Sequence, residues 1–257
     1  MPTLEVLFTP ADFSSLAQRD LANTVCVVFD VLRATSSMVT ALANGAQAIV
    51  PVAEISEALD LRANRDVLLA GERQGVRITR ELTGSINFDL GNSPREFSSA
   101  AVRSRVIVMT TTNGTRALRA CSSAREVFVS SFLNLKSTAM ALKNLSSDLL
   151  VVCSGTFEQA AYEDVLAAGA LCEQLWTGFD RTNIADSALM ASRLFALERS
   201  NLQGALSQAR NGQRLMSRSE LREDVAFCCQ LDSLNVVAKM GRDGRVVAER
   251  AGSRVDG

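Results

Sequence analysis

The side chains able to do chemistry gather where short apolar runs give way to polar ones. Asp30 and Arg33 stand in Asp30-Val31-Leu32-Arg33-Ala34-Thr35-Ser36, directly after Val25–Phe29. Glu72 and Arg73 follow Val67–Ala70, and Asp89, Asn92 and Arg95 share a turn-rich stretch that opens Phe88-Asp89-Leu90-Gly91-Asn92-Ser93-Pro94. Thr110-Thr111-Thr112-Asn113-Gly114-Thr115-Arg116 follows Arg105–Met109, and Cys153-Ser154-Gly155-Thr156 precedes the pair Glu163-Asp164. The carboxylates Asp30, Glu72, Asp89, Glu163 and Asp164 are hard oxygen donors of the kind that hold Mg²⁺. Arg33, Arg73, Arg95 and Arg116, with the threonine hydroxyls and loop amides, make an anion-binding lining. A left-handed Asn113 or Gly114 would turn successive amides of that loop into an anion nest. A hard cation beside an oxyanion nest suits phosphoryl chemistry, whose main demands are positioning and charge stabilisation.

Each of these segments also has a plainer reading. Asp30 and Arg33 could form a surface ion pair, with Thr35 or Ser36 capping the following helix. Asp89 could serve an Asx-turn, and Glu163 and Asp164 could merely complement a helix dipole. Cys153 lacks the arginine that a thiol phosphatase wants six residues on, where Gln159 stands, and reads as a packed or site-lining thiol.

Several chemistries are excluded. The 257 residues contain no histidine, which removes triads with an imidazole base and zinc sites with His ligands. Neither a GxxxxGK[ST] loop nor a DxDx[TV] motif is present. Lys+Arg 27 against Asp+Glu 28 leaves a net charge of -1, so no charge excess points to nucleic acid or a membrane surface. Cys26, Cys121, Cys153, Cys172, Cys228 and Cys229 show no CxxC or zinc spacing and read as reduced, mostly buried thiols. Met1-Pro2-Thr3-Leu4-Glu5 has no signal-peptide character and no run of 18 apolar residues occurs, so a cytoplasmic protein is expected.

The elements that must position these loops follow from hydrophobic patterning. Strands are expected at Glu5–Phe8, Val25–Phe29, Ala48–Val52, Val67–Ala70, Arg105–Met109, Glu126–Val129 and Leu149–Cys153, several of them continuous apolar runs covered on both faces. Helices are expected at Ser36–Ala43, Ile55–Ala63, Thr115–Ala120, Leu135–Leu145 and Glu163–Trp176, with further helix through Asp180–Asn211 and Asp224–Leu231. The alternation predicts an α/β fold: three αβα layers around a mainly parallel or mixed sheet. Arg242-Asp243-Gly244, between Val236–Lys239 and Arg245–Val247, predicts a C-terminal hairpin. One domain over residues 1–257 is expected, with no sharp boundary. The strand–loop–helix–strand plan at Val25–Val50 echoes the one at Val106–Val129, and two similar lobes are a further expectation.

Five ordered segments resemble the 2-phosphosulfolactate phosphatase family: Phe29–Ser36, Ala70-Gly71-Glu72-Arg73, Phe88–Pro94, Thr110–Ala117 and Glu163–Ala170. The likeness runs from about Asp30 to Asp232. It implies a Mg²⁺-dependent acid phosphatase that converts (2R)-2-phospho-3-sulfolactate to sulfolactate and phosphate in coenzyme M biosynthesis. It also implies Asp30, Glu72, Asp89, Glu163 and Asp164 as metal ligands or catalytic acids, and Arg33, Arg73, Asn92, Asn113, Thr115 and Arg116 as substrate binders. Two departures are visible. Asn211-Gly212 stands where the family often has His-Gly, and Phe157-Glu158-Gln159-Ala160-Ala161-Tyr162 lacks expected glycines.

The resulting expectation is a phosphatase with catalytic Asp30, Arg33 and Arg116. Its substrate contacts come from Thr35, Ser36, Arg73, Asn92, Thr111, Thr112, Asn113, Gly114, Thr115, Cys153 and Ser154. Asp30, as nucleophile or metal ligand, joins Glu72, Asp89, Glu163 and Asp164 around Mg²⁺. The partner is a small anionic phosphorylated acid; a homodimer is possible, and neither nucleic acid nor a membrane is expected. Alternatives are a non-catalytic anion-binding protein on the same scaffold, a phosphatase of another phosphorylated hydroxy acid, or another Mg²⁺-dependent phosphoryl-transfer enzyme.

Overall fold

The apolar runs become strands because helices cover both of their faces. In the computed structural model, which describes residues 1–249, the strands are β1 (Leu4–Leu7), β2 (Thr24–Phe29), β3 (Ala48–Pro51), β4 (Leu68–Arg73), β5 (Val76–Arg77), β6 (Val106–Thr110), β7 (Glu126–Ser130), β8 (Asp148–Cys153), β9 (Ala238–Met240) and β10 (Val246–Ala248). All the expected strands are present. The end of the expected domain, residues 250–257, lies outside the described residues. β4 runs on to Arg73, so Glu72 and Arg73 stand inside a strand and not in the loop after it.

The strands form one ten-stranded sheet in the order β1-β8-β2-β7-β9-β10-β3-β6-β4-β5. It holds two parallel blocks, β1-β8-β2-β7 and β3-β6-β4. The C-terminal hairpin β9–β10 joins them, running antiparallel to β7 on one side and to β3 on the other. Its turn uses Gly244 at φ +77, a left-handed conformation that glycine adopts without steric cost.

Side chains alternate across this sheet. Val25, Val27 and Phe29 of β2 join Val151 and the helices Leu135–Leu142 and Tyr162–Leu175 in one core. Cys26 and Val28 face the opposite core, with Met38 and Val39 of helix Ala34–Ala43 and Leu118 of helix Gly114–Ala120. The result is the expected αβα layering. The region 180–211 is helical at Asp186–Glu198 and Leu202–Gln208, followed by helices Arg210–Met216 and Arg222–Cys228. Among the described residues, no helix is long and apolar enough to cross a membrane.

The two echoing units cross between the blocks in opposite directions. β2 leads through helix Ala34–Ala43 to β3, and β6 leads through helix Gly114–Ala120 back to β7. Their two strand-end loops therefore meet near the middle of the sheet. A Cβ built on Gly114 would lie 2.6 Å from Ala34 Cβ, so only glycine lets these helix starts come together.

Candidate active site

The loop after β2 is organised by Asp30 itself. Its Oδ1 accepts from Ala34 N (3.0 Å) and caps the helix, the role expected of Thr35 or Ser36. Thr35 Oγ1 instead accepts from Asp30 N (3.0 Å), and Ser36 Oγ donates to Val31 O (2.8 Å). Both hydroxyls are fully buried and tie the loop down; neither lines the pocket. Asp30 Oδ2 lies against Gly114, whose built Cβ would come within 2.7 Å.

Glu72 joins the turn between β4 and β5 to the threonine loop. Its Oε1 accepts from Thr112 N (2.8 Å) and Thr112 Oγ1 (2.9 Å), and its Oε2 accepts from Gly75 N (2.6 Å). The preceding Gly71, at φ +151, crosses so close to β6 that a Cβ would sit 2.1 Å from Thr110 O. Arg73 donates to Thr110 Oγ1 (3.0 Å) and to Ala53 O (3.2 Å).

The threonine loop departs from the expected nest. Asn113 has φ −119 and ψ −53, and Gly114 has no positive φ, so no left-handed residue turns the amides inward. Thr111 and Thr115 bond each other: Thr115 N donates to Thr111 Oγ1 (3.3 Å) and Thr115 Oγ1 to Thr111 O (3.0 Å). Thr112, Asn113 and Arg116 border the pocket, while Thr111, Gly114 and Thr115 shape it from behind.

The fourth segment also divides. Asp164 accepts from Val31 N (2.8 Å), Ser154 Oγ (3.1 Å) and Gly155 N (3.2 Å), clamping the loops after β2 and β8 together. Ser154 is thereby committed to the clamp. Cys153 packs in the core, where burial pushes its thiol well above the usual range, so it is neither a substrate contact nor a nucleophile. Glu163 Oε1 accepts from Asn211 Nδ2 (2.6 Å), and the same amide donates to Thr156 Oγ1 (2.7 Å). Glu163 Oε2 is buried with no partner, as is Asn92 Oδ1, and Asn92 borders the pocket.

Asp89 is the clear misplacement. Its carboxylate accepts from Arg62 Nη1 (2.6 Å) and from Leu69 N (2.8 Å), holding the start of β4 on the far side of the strand from the site. Arg95 is likewise diverted, pairing with Glu223 (2.9 Å) and Asp224 (3.5 Å).

The pocket has a volume of about 390 Å³ at the carboxyl ends of β2, β4, β6 and β8. Arg33, Arg73, Arg116, Arg214 and Arg218 line it, against the carboxylates Asp30, Glu72 and Glu158. Arg214 and Arg218 lie far along the chain in the C-terminal helical region, and no local motif marked them. Arg33 is buried, its Nη1 donating to Asp224 (2.7 Å) and its Nη2 to Gly75 O (2.8 Å). Asp224 also accepts from Ser93 Oγ (2.7 Å).

Burial and mutual repulsion raise the acids. Asp30 is pushed up to about 6, first by burial and further by Glu72, with the Ala34 amide opposing. Glu163 is pushed up to about 7 by burial, with Asn211 opposing and Asp30 adding. Asp164 is raised by burial and by Glu163 and Asp30. Of these acids Asp30 borders the arginine-lined cleft, and a raised carboxyl beside guanidinium groups in a cleft marks a candidate reactive site.

Fold and site together define an α/β protein with buried carboxylates and an arginine-lined pocket at its strand ends. The profile of the 2-phosphosulpholactate phosphatase family matches residues 12–243. A probable 2-phosphosulfolactate phosphatase of Caldanaerobacter subterraneus subsp. tengcongensis is 36% identical over 241 residues, covering 91% of this chain and 95% of the relative. One from Symbiobacterium thermophilum is 39% identical over 234 residues (89% and 95%), and one from Pseudothermotoga lettingae 37% over 235 (91% and 94%). The chain belongs to the 2-phosphosulpholactate phosphatase family, a family of phosphoric monoester hydrolases.

Proposed function

We propose that the chain hydrolyses the phosphate monoester of a small 2-hydroxy acid, with (2R)-2-phospho-3-sulfolactate as the reference substrate and coenzyme M biosynthesis as its setting. The observation that carries this reading is the Asp30 carboxylate, capped on one oxygen by Ala34 N, in the same cleft as Arg33, Arg73 and Arg116. The ester P–O bond breaks and a new P–O bond forms. Asp30 either orients the attacking water or attacks phosphorus itself, in which case a water then cleaves the acyl phosphate to return the Asp30 carboxylate and free phosphate. The leaving alkoxide takes a proton and departs as the hydroxy acid. Arg73 and Arg116 hold phosphate oxygens, and Arg33 supplies fixed positive charge from the wall.

Mg²⁺ is part of the proposal. Asp30 and Glu72 border one cleft and repel each other, and the buried Asn92 Oδ1 borders it without a donor. Among the described residues, no three acidic or thiol side chains converge as a metal cluster. Two carboxylates and a neutral oxygen, with water completing the shell, is the form of donor set that suits Mg²⁺. Bound there, the ion would offset the charge that the phosphoryl group develops. Glu163, Asp164 and Asp89, none of which borders the cleft, are left out of this set.

The test is phosphate release from a panel of phosphorylated hydroxy acids, with Mg²⁺ and with chelator. Release that depends on Mg²⁺ is the expected result. Binding without release of phosphate from any ester would support an anion-binding protein instead, and release unaffected by chelator would reject the metal.

A further inference from the structure

Five arginines border the pocket, and three of them have close protein partners. Arg33 is paired with Asp224, Arg73 donates to Glu72 O (2.8 Å), Ala53 O (3.2 Å) and Thr110 Oγ1 (3.0 Å), and Arg116 Nη1 donates to Glu158 Oε1 (2.7 Å). Arg214 and Arg218, which enter from the C-terminal helical region, are different. Arg214 has one long hydrogen bond, to Gln74 O (3.4 Å), and the Arg218 guanidinium has no hydrogen-bond or ion-pair partner among the described residues. Both side chains belong to half-buried residues, so two guanidinium groups border the cavity with no carboxylate in ion-pair reach.

Their backbone is fixed by packing. A Cβ built on Gly212 would lie 1.7 Å from Leu206 O, so helix Arg210–Met216 sits directly against the end of helix Leu202–Gln208. Arg218 O accepts from Leu221 N (3.1 Å) and Arg222 N (3.0 Å), which ties Arg218 to the helix that carries Asp224. Arg214 also has a platform: its guanidinium lies over the Phe157 ring, 5.0 Å from the centroid. Phe157 at φ +52 and Glu158 at φ +57 form a turn closed by Thr156 N to Gln159 O (2.8 Å) and Gln159 N to Thr156 O (3.1 Å). Two left-handed residues in succession favour Asn-Gly, and a bulky aromatic there persists where surrounding contacts hold it. A guanidinium stacked on a ring keeps the N–H groups of its edge for an oxyanion.

We infer that Arg214 and Arg218 form a second-anion subsite, which receives the sulfonate of a 2-phospho-3-sulfo acid while Arg73 and Arg116 hold its phosphate, and that Phe157 positions Arg214 for it. The inference rests on the function proposed above for the phosphate end, and adds the residues that recognise the third substituent. A sulfonate presents three oxygens, enough to accept from both guanidinium groups at once. A methyl group in its place would leave both charges facing the cavity without a partner, and that difference is what separates the two esters.

Two esters test this on the full chain: 2-phospho-3-sulfolactate, and 2-phospholactate, which lacks the sulfonate. Their dissociation constants are measured by titration calorimetry in chelator, and phosphate release from both is followed in Mg²⁺. The parent is expected to bind phosphosulfolactate at least about thirtyfold more tightly than phospholactate, and Arg214→Gln and Arg218→Gln should each cut that preference by at least about fivefold. Phe157→Asn suits the turn better than phenylalanine, so it should melt no lower than the parent while cutting the preference by about two- to fivefold, the worth of the lost stacking. A parent without the preference would overturn the inference. So would arginine variants that weaken both esters equally, which would put these arginines on the phosphate, or variants that leave both constants unchanged. An unchanged preference in Phe157→Asn would overturn the positioning role of the ring. The expected binding preference with no phosphate released from either ester would contradict the phosphatase reading alone; phosphate release without the preference would contradict this inference alone.

Discussion

Arg33 and Asp224, 191 positions apart in the chain, form an ion pair of 2.7 Å with side chains only 3% and 0% exposed. The pair pins the wall of the pocket to helix Arg222–Cys228 and holds one guanidinium at a fixed distance from Asp30. Removing one partner leaves an uncompensated buried charge. Asp224→Ala should therefore lower unfolding free energy by about 3–5 kcal/mol, measured by urea denaturation. Arg33→Met combined with Asp224→Leu should recover most of that loss while phosphate release stays low. Equal stability of Asp224→Ala and the parent would contradict the pair's role.

Gly114 should be nearly as sensitive for catalysis as a charged residue. A methyl there would meet Ala34 Cβ at 2.6 Å and Asp30 Oδ2 at 2.7 Å. Gly114→Ala should cost about 1–3 kcal/mol in stability by overpacking. Because the collision includes the carboxylate proposed to be catalytic, kcat should fall by at least about tenfold. Thermal melting and steady-state kinetics on one preparation separate the two effects. An unchanged kcat would mean that Asp30 Oδ2 does not need its place.

The raised acids give stability a pH dependence of known sign. Burial lifts Glu163 from an ordinary 4.5 to about 7 and Asp30 from 3.8 to about 6. The folded state therefore binds protons more tightly than the unfolded chain. The resulting stabilisation is complete below about pH 4 and is lost as pH rises through 6 and 7. Glu163→Gln removes one contributor. In chelator, the Tm of the variant should gain on that of the parent between pH 4.5 and 7.5, and a difference that does not change with pH would contradict the shift.

Metal dependence has a readout besides activity. Mg²⁺ added to the chelated parent should raise its Tm, because a ligand that binds only the folded state stabilises it. Glu72→Gln should weaken that rise. Identical shifts in the parent and in an Asp30→Asn, Glu72→Gln double variant would place the ion elsewhere.

The parts legible in sequence were those with local causes. Val25–Phe29 and Leu149–Cys153 read as doubly covered strands because nearly every residue is apolar, and the Asp-Gly turn announced the C-terminal hairpin. Its insertion between two parallel blocks had no local signal. Asp30, Glu72 and Arg116 could be placed because strand ends feed the site. Asp89 satisfied the same rule and went elsewhere, since the rule cannot tell on which side of β4 a turn carboxylate falls. Thr35, Ser36, Thr111 and Thr115 stand where ligand contacts are expected, but a hydroxyl beside free backbone groups bonds the backbone first. Asp224, Arg214 and Arg218 reach the site only by tertiary packing of the C-terminal helices, which composition and spacing do not reveal.

The account stands most directly on Asp30. Phosphate release from 2-phospho-3-sulfolactate and a panel of other phosphorylated hydroxy acids, in Mg²⁺, compares the parent with Asp30→Asn, a substitution that keeps the side-chain oxygen able to accept from Ala34 N. Turnover should fall by about 10³-fold or more on every ester that the parent hydrolyses, with the fold intact by thermal melting. Parent-like turnover by Asp30→Asn on any of them would contradict the assignment of this carboxylate as the centre of the site.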